Sequence, residues 1–253
     1  SKCPTRWPNN MKKYFILAII LTLVTPVFAL TSYQAKFSLY AETDLGTLKI
    51  GNASFALQAK DDMYVYTSKA STSSLWKALY DYSRTETSIG MKNNNDLFSS
   101  YYIVNENVKG STKNNYEIYI FAEQNYATYN GEKYVGEIEP GGLVDSLSVY
   151  LALSEDLKLN PEQTVFNYQV ANSEGIKRQD FTVDGRETIT INDKEIETIK
   201  ILCPELRLSL NLAKEYGYLP VRIRKVNDKS IFNMKLIEYS ELYAKGISLN
   251  NDQ

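Results

Sequence analysis

The chain contains no histidine. That absence removes Ser-His-Asp and Cys-His nucleophilic arrangements and every zinc or iron site built on imidazole. Cysteine is almost as scarce: Cys3 lies in the leading segment, and Cys203 stands alone in the rest. One cysteine closes no internal disulfide and builds no cysteine-rich metal centre, so burial must hold the chain together. Cys203 precedes Pro204, with only Glu205 and Arg207 beside it, and nothing marks it as an activated thiolate. A surplus of positive charge is missing too, with 28 lysines and arginines against 30 acids. Nucleic acid is therefore not an expected partner. Carboxylate chemistry, an all-oxygen cation site, or no chemistry at all remain. The expectation is a protein without metal, cofactor or catalytic residue.

The first feature present is a leader. Met11 to Ala29 reads MKKYFILAIILTLVTPVFA: Lys12 and Lys13, an apolar run broken at Pro26, then Val27 and Ala29 at the −3 and −1 positions. This is the pattern of a secretory signal peptide cleaved after Ala29. The run is shorter than the ~20 apolar residues a spanning helix needs, so no transmembrane helix is expected after its removal. Residues 1–10 read as upstream, non-native sequence. Losing Lys2, Arg6, Lys12 and Lys13 takes the net charge from −2 to −6. Residues 30–253, with neither linker nor repeat, are expected to form a single exported, periplasmic domain of a Gram-negative-type envelope.

From Leu45 onward the sequence alternates like strands. The apolar set switches from Leu48 and Ile50 to Ala53, Phe55 and Leu57, which predicts a bulge or bend at Gly51-Asn52. Met63 to Thr67, Arg84 to Ile89, Leu97 to Val108 and Tyr116 to Ala122 follow as strands. Asn130-Gly131 and Asn192-Asp193-Lys194 mark hairpins. Phe166, Tyr168 and Val170 share a face. The stretch Leu206 to Val226, LRLSLNLAKEYGYLPVRIRKV, opens a three-strand meander that ends in Phe232, Met234 and Leu236. Its leucines, Val221 and Ile223 point inward, while Arg222 and Arg224 point out. Such alternation belongs to an antiparallel sheet with one wet face. Two helical patterns interrupt it: Leu143, Leu147, Tyr150 and Leu151, ending near Leu153, and a shorter one over Ser73 to Tyr80. Neither is long enough to stand without a sheet beneath it.

Four stretches, in this order, resemble the bacterial exported family of unknown function DUF3108: Ser83-Arg-Thr-Glu-Thr-Ser88, Gly142-Leu-Val-Asp-Ser-Leu-Ser148 with Leu151 to Leu157, Val183-Asp-Gly-Arg-Glu187, and Leu212-Ala-Lys-Glu-Tyr-Gly-Tyr-Leu-Pro-Val-Arg222. The resemblance implies an exported protein and no established activity. The final meander also resembles that of the periplasmic lipoprotein carriers LolA and LolB. That likeness implies a mainly β protein, its large antiparallel sheet curled into an open half-barrel with one or two short helices.

Within such a half-barrel, Phe166, Tyr168, Leu208 and Leu210 would meet Leu75, Trp76, Leu79, Leu147 and Leu151. These residues either pack a solid core or line a cavity for a lipid or acyl chain. Arg84 and Glu86, two apart on a strand, either clamp the cavity mouth or pair across the wet face. Asp61-Asp62, Glu137-x-Glu139 and Glu155-Asp156 read as solvated loop charges rather than a glycosidase pair or a calcium loop. The expected function is non-enzymatic handling of an apolar ligand or outer-membrane component in envelope maintenance. The alternatives are an interaction protein pairing through a sheet edge with an envelope partner, and a carboxylate-dependent hydrolase of an envelope polymer.

Overall fold

The computed structural model describes residues 29–242 except 45, 79, 94–95, 122–123, 125, 135–142 and 229. One sheet dominates, with 15 strands in the order β8-β7-β6-β5-β4-β3-β2-β1-β15-β14-β13-β12-β11-β10-β9. The N-terminal half runs β1 (Tyr33–Thr43), β2 (Gly46–Lys60), β3 (Met63–Thr72), α1 (Ser74–Lys77), β4 (Tyr82–Asn93), β5 (Asp96–Val108), β6 (Ser111–Phe121), β7 (Tyr126–Tyr129) and β8 (Glu132–Tyr134). The C-terminal half runs β9 (Leu143–Asp145), α2 (Ser148–Leu159), β10 (Val165–Asn172), β11 (Gly175–Ile191), β12 (Lys194–Cys203), β13 (Leu208–Ala213), β14 (Leu219–Asn227) and β15 (Ser230–Glu241). The two halves join because β1 pairs antiparallel with β15. The sheet curls until β9, at its far end, comes against β5, but it does not close. The fold is mainly β, as the alternation predicts.

Local chemistry explains the turns and the curl. Asn130 and Gly131 have φ of 49° and 85°, and Asn192 and Asp193 have 49° and 63°. Both φ values positive is the type I′ signature that lets two residues reverse a twisted hairpin. The face switch in β2 is a bulge. Leu39 pairs with Gly51 and Tyr40 with Lys49, which leaves Ile50 as the extra residue. Further register shifts occur in β1·β15 and in β4·β5, and each bends its strand and tightens the twist.

The interior is filled by the chain's own helix. α2 buries Ser148, Val149, Leu151 to Glu155 and Leu157. At twelve residues it gains its stability from this enclosure rather than from propensity. Around it lie Phe37, Leu57, Tyr66, Phe166, Phe181, Ile201, Leu210 and Val221, each almost fully buried. Several sequence expectations need correction here. β1 precedes the first strand read from the sequence. The helix begins at Ser148, because Leu143 belongs to β9 and Leu147 is the N-cap. The short helix shrinks to α1, which has no buried residue. Cys203 is buried, and burial pushes its thiol up to about 11, the state of an unreactive thiol.

Candidate functional site

The inner face of β4 is polar. Its buried positions alternate through Ser88, Gly90 and Lys92, which places Arg84 and Glu86 on the same face. Three groups of polar side chains meet the interior along this strand.

The deepest surrounds Asp145, which has no exposed surface. One carboxylate oxygen accepts from the backbone N–H of Leu147 at 2.8 Å and of Ser148 at 2.9 Å. The other accepts from Ser88 Oγ at 2.5 Å. The Asp145 N–H is within reach of Ser148 Oγ at 2.9 Å and Ser99 Oγ at 3.2 Å, and Tyr64 Oη lies 3.2 Å from Ser99 Oγ. Asp145 therefore caps α2 in place of Leu147, whose side chain makes no cap, and ties β9 to β4 and β5. Burial pushes the carboxyl above its ordinary value, opposed by the hydrogen bonds from Ser88, Ser148, Ser99 and Leu147.

The second group is Glu155, 2 % exposed, held by Lys92 Nζ at 2.5 Å on one oxygen and by Lys158 Nζ at 2.5 Å on the other. The expectation of solvated loop charges fails here, since Glu155 sits on α2 inside the sheet. Its neighbour Asp156 accepts from Tyr168 Oη at 2.6 Å, and burial raises its carboxyl. The third group is Arg84. It donates to Glu86 at 2.7 Å and Glu106 at 3.3 Å, while Tyr102 Oη donates to Glu86 at 2.6 Å. Burial works against the Arg84 cation, and the Glu86 carboxylate outweighs it and holds the guanidinium above its ordinary value. The pair faces inward and is not a wet-face bridge.

A cavity of about 190 Å³ opens at the Lys92 end of the interior. Tyr33, Leu57, Leu151, Leu219, Tyr216 and Tyr239 form its apolar wall, and Thr31, Ser154, Glu155, Lys158 and Glu241 its polar side. The tyrosines pack together, with ring centroids 5.8 Å apart for Tyr33–Tyr239 and 5.0 Å for Tyr216–Tyr239. Ser154 Oγ sits 2.8 Å from the Tyr150 carbonyl and 2.9 Å from that of Tyr218, so its proton is engaged. Among the residues expected to line a cavity, Leu151 does so. Leu147, Phe166, Leu208 and Leu210 are buried in the packed core, and Tyr168 is partly buried beside it. Leu75 is 79 % exposed, because the single-turn α1 lies outside the sheet. Trp76 donates its indole N–H to the Lys49 carbonyl at 2.8 Å on that same outer turn. Leu79, Glu137 and Glu139 lie outside the described residues. Tyr33 and Tyr239 were missed, although the Tyr33, Ala35, Phe37 alternation was there to be read.

The family described as protein of unknown function, DUF3108, matches residues 32–237. The chain belongs to the DUF3108 family. The stretch Gly142 to Ser148, one carrier of the resemblance, now has a physical account: it supplies both Asp145 and Ser148 of the buried latch. Among solved structures, a β-barrel-like protein of the domain of unknown function DUF1849 from Brucella abortus is similar, with 7 % identity and a TM-score of 0.55. The match covers 85 % of this chain and 99 % of that one. At that identity the likeness shows a shared β-barrel-like fold, here worn by a DUF3108 chain. Comparison with curated proteins gives no match. Among the described residues no helix is long and apolar enough to cross a membrane, and no three histidine, cysteine or acidic side chains cluster as metal ligands would.

Proposed function

We propose that this DUF3108 chain is an exported, periplasmic, non-enzymatic binding protein that takes the apolar end of an acyl or aryl ligand into the Tyr33–Leu151–Tyr239 cavity. The observation that carries the reading is the state of that cavity's polar wall. Glu155 is neutralised by two lysines and Ser154 is engaged with backbone carbonyls, so on the α2 side the wall makes its strongest polar contacts with itself. What it offers a guest is leucine and tyrosine surface, with ring hydroxyls suited to an amphipathic end. An apolar cavity of about 150 Å³ can hold a benzene, so 190 Å³ suits a short apolar segment rather than a whole lipid. Ala29 and Thr31 also line the cavity, so cleavage after Ala29 removes part of one wall and widens the entrance.

The other two classes find less support. Edge strand β8 spans three residues and carries Glu132 and Lys133, a short charged edge that discourages strand addition. The opposite edge, β9, is buried against β5. A hydrolase needs a buried acid with a free oxygen; among the described residues buried Asp145 and Glu155 have both oxygens hydrogen-bonded, and buried Glu106 is met by Arg84 and Asn114 on one oxygen and by Lys113 at 3.7 Å on the other.

Leu151→Phe is expected to fill the cavity and weaken binding of a medium-chain fatty acid by at least about tenfold, while the circular-dichroism spectrum stays native. Titration of the mature chain with decanoate, followed through its tyrosine fluorescence, reads this directly. Saturable binding that Leu151→Phe leaves intact would place the ligand elsewhere. Absence of binding by decanoate and by longer and aryl acids would end the proposal.

A further inference from the structure

The outer face of the same sheet carries a second recess, remote from the cavity in both lining and chemistry. It has a volume of about 320 Å³ and is lined by Lys200, Ser209, Asn211, Arg222 and Arg224 with Glu187. Strand register assembles it: Lys200 pairs with Asn211, Asn211 with Arg222, and Ser209 with Arg224. Three cations therefore converge from β12 and β14, across the Ser209 and Asn211 side chains of β13. Arg222 closes the Leu-Pro-Val-Arg stretch that marks the family resemblance, and among the described residues the carboxylate nearest it is Glu187.

Arg222 is held differently from Arg178, Arg186 and Arg207. Arg178 bonds Asp180 at 3.0 Å, Arg186 bonds Glu197 at 3.1 Å and Arg207 bonds Asp228 at 2.5 Å, although each is more than half exposed. Arg222 is 32 % exposed and so better shielded, yet its nearest carboxylate, Glu187, lies 3.7 Å away. Its Nε is buried without a hydrogen-bond partner among the described residues. Arg224 is held loosely as well, at 3.5 Å from Glu42. A guanidinium has five N–H donors in a rigid fork, and a buried one without an acceptor costs free energy. Glu187 is meanwhile engaged by Asn211 Nδ2 at 3.1 Å on its other oxygen.

We infer that the Lys200–Arg222–Arg224 recess binds an oxyanion of the phosphate-ester class, with Arg222 as the bidentate donor. A planar fork facing a recess matches two oxygens of one phosphate, while the loosely held Arg224 offsets the remaining charge and Lys200, bonded to Asp184 at 2.6 Å, stands at the wall. Ser209 adds a hydroxyl at the wall. The shared chemistry is a phosphomonoester, whether carried by a soluble metabolite or by a lipid headgroup.

Calorimetric titration of the mature chain with glycerol 1-phosphate, with acetate as the single-charge control, tests this. Phosphate ester is expected to bind more tightly than acetate. Arg222→Lys, which keeps the charge and loses the fork, is expected to weaken binding about tenfold with an unchanged Tm. In the wild type, the Arg222 Nε–H signal should shift with phosphate in an NMR titration, a readout that needs no variant. Flotation with phosphatidic-acid vesicles against phosphatidylcholine vesicles separates the sources. Arg222-dependent flotation assigns the headgroup, and soluble-ester binding without flotation assigns the metabolite. If neither probe binds, if Arg222→Lys binds as tightly as wild type, or if the Nε–H signal stays put, the inference is overturned. Leu151→Phe should leave phosphate binding untouched, so failure of the interior cavity and failure of this recess are separate results.

Discussion

Replacing Asp145 by alanine is expected to cost about 3–5 kcal/mol of folding stability, from the loss of a buried acceptor and helix cap. Three contributions add up. The N–H groups of Leu147 and Ser148 lose their acceptor at the start of α2, where loss of a cap costs about 0.5–2 kcal/mol. Ser88 Oγ loses its acceptor in a site closed to water, at about 1–3 kcal/mol. The carboxylate's favourable position at the positive end of the helix also disappears. The change strikes the place where β9, at one end of the curled sheet, is tied by side chains to β4 and β5, so the expected failure is loosening of β9 from those strands. Urea unfolding measures the total, and hydrogen exchange should find the amides of α2 and β9 opening first. A loss under about 1 kcal/mol would mean that packing, not the latch, closes the seam.

The same residue sets a pH dependence. The folded-state pKa of Asp145 lies above its ordinary value of 3.8, so across the interval between them the folded protein binds more protons than the unfolded chain. Stability from this group is therefore full below 3.8 and is lost as pH rises through the folded pKa. The amide introduced by Asp145→Asn does not titrate, and it keeps one oxygen for the two helix N–H groups. The stability advantage of wild type over Asp145→Asn is thus expected to shrink as pH rises from about 4 toward neutrality. Urea midpoints of both proteins across that range check the sign, and a gap independent of pH would show that the carboxyl does not titrate differently on folding. Asp156, also raised by burial, contributes the same slope to both proteins and cancels in the comparison.

What the sequence revealed followed the contrast between faces. In β13 and β14 leucine, valine and isoleucine alternate with arginine, serine and asparagine, and period two assigns the inner face without ambiguity. Hairpin turns were equally plain, since Asn-Gly and Asn-Asp carry the positive φ the geometry needs. β4 defeated the same reasoning. Both its faces are polar, and Arg84, Glu86, Ser88 and Lys92 turned out to occupy the inner one. Alternation says which residues share a face, but it names the buried face only when one of them is apolar. Glu155 was misread for a related reason. Its partner Lys92 is 63 residues away, and a charge looks solvated until its counter-ion is found in space. β1 escaped because its alternation through Tyr33, Ala35 and Phe37 lies in the stretch where the leader gives way to the domain, and bulges disturb its pairing on both sides.

Gly90→Ala is expected to destabilise the protein by about 3–5 kcal/mol, although the added group is one methyl. A Cβ on Gly90 would stand 2.0 Å from the Phe98 carbonyl oxygen, 2.5 Å from Tyr64 Oη and 2.7 Å from Tyr64 Cε1. The carbonyl belongs to β5, which pairs with β4 across the register shift at this very residue, and cannot swing away as a flexible side chain would. The tyrosine hydroxyl reaches Ser99 and the Phe98 carbonyl beside Asp145, so moving the ring disturbs the latch as well. Gly131 separates space from backbone freedom. Its φ is +85°, yet a Cβ there would meet nothing within 4 Å, so Gly131→Ala carries only conformational strain of about 1 kcal/mol. Adding Tyr64→Phe to Gly90→Ala removes the contact with the hydroxyl but leaves those with the carbonyl and the ring carbon. The double variant should therefore recover only part of the loss. Full recovery would assign the whole effect to the tyrosine, and a Gly90→Ala protein as stable as Gly131→Ala would show that β5 can yield at this point, making the bulge soft rather than a fixed bend in the sheet.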